Sequence, residues 1–320
     1  MHDIAHEIFV LGSFVAAISV QVDHLPTDGE SVRASSFLIE AGGKGLNIAA
    51  GLRRLGWDVN GLFGVGDDIF AEVARAAFKR ARLRNEMILS LGGLSGSGIG
   101  LIDKSGENII AVFPGANDRL AAHHVLISGA AIERSRLVVA QFEIMDEPIM
   151  AGFGIARRRN IPTILSPSPF RSVLPEILAM TTVLIVNENE ALSLAADLGV
   201  AIDRPALRAW GAFDGLAVVL LDSGVSTLVV TLGSDGAAVW NRSDRPIHLP
   251  AFDVAAIDAT GAGDAFLAGF AAGLGRGLTL SECLAQGNAC GALTASHVGV
   301  LDHLPTFEQV TEMVFGETRE

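Results

Sequence analysis

The chain has 320 residues, of which half are hydrophobic and 18% charged. That balance supplies a sizeable core and excludes a disordered chain. A net charge of −13 argues against a nucleic-acid backbone as the main partner, although a locally positive site on an acidic protein can still hold one nucleotide.

The opening residues, Met1-His2-Asp3-Ile4-Ala5-His6-Glu7, carry no basic region and no cleavage site, so a signal peptide is not expected. The charge-free stretch 8–22 is too short to cross a bilayer. A cytoplasmic protein with no membrane or nucleic-acid partner is expected, with one domain over 1–320. Strand-like runs at 18–22 and 31–39 flank Leu25-Pro26-Thr27-Asp28-Gly29 with no helix between them. A helix is predicted over 46–55, a strand over 59–65 and a helix around 69–82. Residues 98–113 read as a hairpin turning at Asp103-Lys104-Ser105-Gly106-Glu107. Beyond it, short apolar runs at 137–142, 161–165, 183–186 and 228–232 alternate with helical patterns such as 148–158. Short fully apolar strands between helices mark a parallel sheet covered on both faces. The segments 13–40 and 97–114 break that rhythm and are expected to pair as a small projecting sheet, a lid over the carboxyl ends of the strands. A last strand-like run, 252–257, leads into a helix through Phe266, Leu267, Phe270 and Leu274. Cys283 and Cys290 stand seven apart on a helical segment. Two turns, roughly 10 Å, are too far for a disulfide, so both read as core hydrophobes.

Four segments could carry chemistry. In Asp258-Ala259-Thr260-Gly261-Ala262-Gly263-Asp264, two glycines let the backbone turn tightly as a helix begins, and the free N–H groups of that first turn suit an anion. Asp264 reads either as a carboxylate favoured by the helix dipole or as a general base beside an oxyanion hole. In Ala41-Gly42-Gly43-Lys44-Gly45-Leu46-Asn47, glycines again meet a helix start. The segment is a loop with a cap, or a substrate cradle in which Asn47 donates to and accepts from hydroxyls. It is not a Walker A loop, because Gly45 follows Lys44 where Ser or Thr is needed. Asn187 and Glu190, in Val186-Asn187-Glu188-Asn189-Glu190, form an acidic helix start or hold a hydrated Mg²⁺. Thr231-Leu232-Gly233-Ser234-Asp235-Gly236 follows an apolar strand and suits a nucleotide phosphate or a plain hairpin.

These four segments, in this order, resemble the ribokinase-like (PfkB) family of carbohydrate kinases. Gly42-Gly43-Lys44-Gly45-Leu46-Asn47 is similar to the family's first signature, and Asp258 to Phe266 to its second. Pro26-Thr27-Asp28-Gly29-Glu30 and Gly115-Ala116-Asn117 also fit, so the likeness spans about 8–306. The resemblance implies a three-layer α/β/α fold with a mainly parallel central sheet and a β-sheet lid that forms a homodimer contact. It implies an ATP-dependent kinase acting on a hydroxymethyl group of a sugar or sugar-like substrate. Asp264 would take the proton from the attacking hydroxyl. The amides of Gly261, Ala262 and Gly263 would steady the transferring phosphoryl group. Gly42, Gly43, Lys44, Asn47 and Glu143 would bind the sugar. Thr231, Gly233, Gly236 and Asn288 would line the ATP site, with Asn187 and Glu190 organising Mg²⁺. Asp258 and the Thr260 carbonyl would begin a monovalent-cation site for K⁺, completed around 294–299.

One stretch departs from the pattern. Ribokinases carry an Asn and an Asp on the first strand, where this chain has Val15 and Ala17. A site built to hydrogen-bond a hydroxyl loses heavily when its partner is missing. The substrate is therefore expected to be less hydroxylated or larger at that end, or Asp23 or His24 supplies the contacts. Glu143 reads alternatively as a solvated strand-end carboxylate. Three competing readings stand beside the sugar kinase. The first is a nucleoside kinase of the same family. The second is a non-catalytic sugar sensor, which the intact Gly261–Asp264 run opposes. The third is a dinucleotide oxidoreductase, which Phe266 opposes by filling the last glycine position of G-x-G-x-x-G.

Overall fold

The computed structural model describes residues 7–202 and 210–316. Its strands are β1 (Glu7–Gly12), β2 (Val15–Val22), β3 (Ala34–Gly42), β4 (Asp58–Val65), β5 (Ile88–Ser90), β6 (Ser97–Ile102), β7 (Asn108–Phe113), β8 (Leu137–Gln141), β9 (Thr163–Ser166), β10 (Val183–Asn187), β11 (Thr227–Thr231), β12 (Ala237–Asn241) and β13 (Ile247–Leu249). The helices are α1 (Lys44–Arg54), α2 (Phe70–Arg80), α3 (Ala122–Ile127), α4 (Gly129–Ile132), α5 (Asp146–Arg158), α6 (Pro175–Leu178), α7 (Glu188–Asp197), α8 (Asp214–Asp222), α9 (Ala262–Gly275), α10 (Leu280–Ala295) and α11 (Phe307–Phe315).

Nine strands form one sheet in the order β13-β12-β11-β10-β9-β8-β1-β4-β5. From β5 to β11 every pairing is parallel. Only β12 runs the other way, antiparallel to both β11 and β13. The strands are apolar at successive positions because each face meets a helical layer. In β1, Ile8 and Val10 point into the core shared with α1, α2, α9, α10 and α11, while Phe9 and Leu11 enter the core on the opposite face, which α3 to α8 complete. β8 splits the same way, with Leu137 and Val139 against Val138 and Ala140. This is the expected three-layer architecture.

The remaining four strands form the lid, in the order β3-β2-β6-β7. The two expected antiparallel pairs are present, and β2 joins β6 in parallel. The lid rises directly from the end of β1 and returns through β3 into α1. Its outer strands are wet: every residue of β7, and all but the last two of β3, are exposed.

One expected strand is not there. Residues 252–257 have extended composition but no ladder partner. The edge of the sheet is closed just before them by β13. The carbonyls of Leu249 and Pro250 are instead taken by the Asn288 side-chain amide, at 3.1 and 3.0 Å. The segment then runs along the mouth of a cleft rather than through the sheet. Cys283 and Cys290 are buried and free. Burial pushes both thiols up to about 12, as befits inert core residues.

Candidate active site

The chemistry-bearing residues collect at the carboxyl ends of the central parallel strands, where α/β sheets open their crevices. β1 ends at Gly12 and delivers Ser13. β8 ends at Gln141 and delivers Glu143. β10 and β11 end side by side at Asn187 and Thr231, which pair in register.

Ser13 is fully buried and acts as a hub. Its hydroxyl donates to Glu143 Oε2 at 2.6 Å and accepts from the Gly45 N–H and from Gln141 Nε2, both at 3.0 Å. Glu143 Oε2 also accepts the Lys44 N–H at 2.8 Å. Glu143 is therefore no solvated strand-end carboxylate. It sits against the first turn of α1, where the free amides favour an anion. The glycines are required here: a Cβ on Gly45 would lie 2.1 Å from Ser13 N, and Gly43 has φ 99. Sequence reasoning missed Ser13 and Gln141 as organisers. The available signal was a polar residue closing the otherwise apolar strand Leu137-Val138-Val139-Ala140-Gln141.

Asp264 lies in the first turn of α9 and faces Asn47 of α1 across the crevice. Asn47 Nδ2 donates to Asp264 Oδ2 at 2.8 Å. Burial pushes the Asp264 carboxyl up to about 6. The Lys44 charge and the Asn47 hydrogen bond pull against that rise, while Glu143 and Glu190 add to it. Lys44, Glu143, Glu190 and Asp264 thus share one electrostatic neighbourhood. Gly261 precedes the helix with φ 75, and a Cβ there would meet Val300 Cγ1 at 2.4 Å. At Gly263, by contrast, a Cβ would meet nothing within 4 Å, so the helix start faces open space.

That space is a cleft of about 420 Å³ lined by Thr231, Gly233, Gly236, Ala262, Gly263 and Asn288 among others. All four residues expected at a nucleotide site are brought together beside the expected anion loop. Gly236 takes φ 90 in the β11–β12 hairpin, where a Cβ would meet the Leu249 carbonyl at 2.0 Å. Phe252 and Val254, from the run misread as a strand, form another wall. Phe266 lines it too, and its ring packs so tightly on α10 that a Cβ at Gly287 would lie 2.8 Å away.

Asn187 and Glu190 bind each other first. Asn187 Oδ1 accepts the Glu190 N–H at 2.8 Å, and Glu190 Oε2 accepts the Asn187 N–H at 2.9 Å, a reciprocal cap on α7. This leaves Glu190 Oε1 and the Asn187 amide nitrogen free of the cap. Among the described residues no three His, Cys, Asp or Glu cluster to cage a metal. A site with so few protein oxygens suits Mg²⁺, which keeps waters and takes phosphate oxygens for the rest of its shell. Asp258 Oδ1 accepts the Thr260 N–H at 2.9 Å, and the N–H groups of Ile257 and Asp258 both reach Ala295 O. Burial raises the Asp258 pKa, but hydrogen bonds from Thr260 and Gly299 outweigh it and hold the carboxyl below the usual carboxylate range. The Asp258 carboxylate and the 257–258 amides thus meet the 295–299 segment, bringing together the two stretches expected at a monovalent-cation site.

Asp23 and His24 do not reach the site. Asp23 pairs with Lys104 at 2.8 Å and His24 with Glu30 at 2.8 Å, both on the exposed lid. Six residues of strand, roughly 20 Å, separate Ala17 from Asp23.

A doubly wound sheet with a glycine turn at a helix start and a cleft beside a half-buried carboxylate is the arrangement a phosphoryl-transfer enzyme needs. The sequence pattern of the pfkB family carbohydrate kinases matches residues 5–306. The chain is 29% identical to the ribokinase of Haemophilus influenzae, over 95% of this chain and 97% of that one. It is 27% identical to the deoxyribokinase of Salmonella typhi, over 96% and 98%. The crystal structure of the ribokinase from Thermotoga maritima superposes with a TM-score of 0.86 at 28% identity, covering 96% of this chain and 98% of that one. The chain belongs to the pfkB family of carbohydrate kinases, and its activity is ATP-dependent phosphorylation of a sugar.

Proposed function

We propose that the enzyme transfers the ATP γ-phosphoryl group to a hydroxymethyl oxygen of a sugar that is poor in hydroxyls at the end facing β2. The observation that carries the reading is Asp264, a carboxylate with its pKa pushed up to about 6, in the first turn of a helix that opens on the cleft. A base titrating near working pH is effective in proton transfer. Asp264 takes the proton from the hydroxymethyl group as its oxygen attacks. The amides of Gly261, Ala262 and Gly263 stabilise the phosphoryl oxygens, and Lys44 adds positive charge nearby. Phosphoryl transfer needs this positioning and neutralisation more than covalent help. Thr231, Gly233, Gly236 and Asn288 hold the nucleotide. Asn187 and Glu190 hold Mg²⁺ through its waters, and the ion supplies neutralisation of the β- and γ-phosphates when bound. Asp258 and the Thr260 carbonyl would hold K⁺, which when bound would steady the loop before Gly261.

Substrate binding is supported by Asn47, which is 6% exposed and whose Oδ1 is buried without a hydrogen-bond partner. A buried acceptor left alone costs about 1–3 kcal/mol, and a sugar hydroxyl lying between Asn47 and Asp264 supplies the donor. Glu143 and the Gly42-Gly43 backbone complete that end. On β2, Val15 and Ala17 offer no polar partner, and Asp23 and His24 are held by Lys104 and Glu30 on the lid. A deoxypentose fits this wall better than ribose. The exposed apolar lid face, with Phe37 64% and Ile109 52% exposed in one cross-strand row, supports a homodimer through the lid. No helix among the described residues is long and apolar enough to cross a membrane.

The test is ADP release from Mg-ATP with K⁺, comparing 2-deoxyribose, ribose, hexoses and nucleosides. The expected result is a higher kcat/KM for the deoxy sugar than for ribose. A preference for ribose, or for a nucleoside, overturns the substrate reading and leaves the kinase in place.

A further inference from the structure

A second concavity lies at the opposite end of α1 from the active site. It measures about 450 Å³ and is lined by Arg53, Arg54, Arg80 and Arg82, with Asp302 and Glu308. An adjoining cavity of about 260 Å³ shares Arg53 and Arg82 and adds Arg84, Glu7 and Asp58. Helix α1 spans 11 residues, so Lys44 at its catalytic end lies roughly 15 Å away. Such a gathering of guanidiniums is unexpected on a chain of net charge −13.

Three of the five arginines have partners. Arg53 donates to Trp57 O at 3.1 Å and to Asp58 at 2.7 Å. Arg80 pairs with Asp302 at 3.2 Å, and Arg84 pairs with Glu7. Arg54 and Arg82 pair with no carboxylate among the described residues. Arg54 Nε is buried and lacks any hydrogen-bond partner. Arg82 is held at φ 55, in the left-handed region that disfavours L side chains. Its place explains the strain. Arg82 N donates to Lys79 O and Leu83 N to Phe78 O, the turn that ends α2. Helices α1 and α7 end in the same turn on Gly56 and Gly199, at φ 87 and 69. Glycine is the ordinary occupant of that position. Here an arginine occupies it, at a conformational cost, and its side chain lines the cavity.

We propose that Arg54 and Arg82 form an anion site, separate from the active site, for a small phosphorylated ligand. With Arg53 neutralised by Asp58, four guanidiniums against three carboxylates leave one net positive charge at the larger cavity, which attracts a phosphoryl anion. The planar fork of arginine matches phosphate oxygens in pairs. A ligand oxygen gives Arg54 Nε the acceptor it lacks and gives the strained Arg82 its function.

The test is calorimetric titration with inorganic phosphate, pyrophosphate and ribose 5-phosphate. The cleft is first filled with a non-hydrolysable ATP analogue, so that binding there does not contribute. The wild-type chain is expected to bind one equivalent of at least one of these anions. Arg82→Gly is expected to weaken that binding by about tenfold or more, while the melting temperature holds or rises, because glycine is at ease at φ 55. Arg54→Gln is expected to weaken it similarly. Tighter binding of ribose 5-phosphate than of the inorganic anions upholds the site and assigns it to a sugar phosphate. Equal binding upholds it for the bare phosphoryl group. No saturable binding to the wild type, or unchanged affinity in Arg82→Gly, overturns the proposal.

Discussion

Asp264 sets activity and stability against each other. In the unfolded chain its carboxyl titrates near 3.8, and in the fold near 6. Above pH 6 the folded protein therefore carries an ionised carboxylate that burial disfavours. Below the unfolded value both states are protonated and the penalty is gone. Asp264→Asn should lower kcat by about 10²–10⁴-fold with ATP affinity intact. The same change should raise stability at pH 8, by on the order of 1–3 kcal/mol, and that gain should fade as pH falls from 6 towards 4. Turnover assays and thermal melts across pH check the two halves independently. In the wild type, kcat/KM should fall about tenfold per unit below pH 6, and a flat acid limb would remove Asp264 as the base. Glu143 makes a different prediction. Its Oε2 receives the Ser13 hydroxyl and the Lys44 N–H, so Glu143→Ala leaves buried donors unpaired. It should cost about 1–3 kcal/mol in denaturant unfolding and raise the sugar KM more than that of ATP. The gathering of Asp264, Asn47 and the cleft-lining glycines was legible in the sequence through the family resemblance of the loops that carry them. Ser13 and Gln141 were not, because their function comes from contacts with residues more than a hundred positions away.

At the scale of elements, the turn into α9 is the least tolerant. Gly261→Ala meets both a left-handed φ and the Val300 side chain. It should destabilise the fold by about 1–3 kcal/mol and abolish turnover by displacing the anion loop, read by thermal melts and ADP release. A substitution at Gly263 meets open space, so Gly263→Ala should fold normally and raise the KM for ATP. The parallel strands β4, β8, β9, β10 and β11 were legible because burial on both faces leaves continuous apolar runs. The antiparallel β12–β13 edge was hidden by a polar hairpin and a strand of only three residues. The 252–257 run misled because alternation announces a strand only when a ladder partner exists, and Asn288 had already taken the neighbouring carbonyls. If the lid is a dimer contact, Ile109→Lys, on the same face as Phe37, should halve the mass seen by sedimentation while leaving the fold's melting profile at low protein concentration unchanged. A wild type that sediments as a monomer would remove the lid contact.

Across the whole molecule, the active site is a long-range construction. The Asn47–Asp264 hydrogen bond joins positions 217 apart, and Ser13 meets Glu143 across 130. The first strand lies in the interior of the sheet, flanked by β4 and β8, and so waits for partners made later in the chain. This has a consequence for biosynthesis. On the ribosome, the lid, the turn proposed to bind the sugar and most of the sheet can be made before the segment that holds the proposed base has left the exit tunnel. Until α9 docks, no Asp264 faces the sugar and no glycine amides gather a phosphoryl group. A chain released early, or cut anywhere between the lid and α9, can present half-built binding surfaces but cannot spend ATP. Catalytic competence arrives at a single late step, so the cell is protected from partly made copies by topology alone.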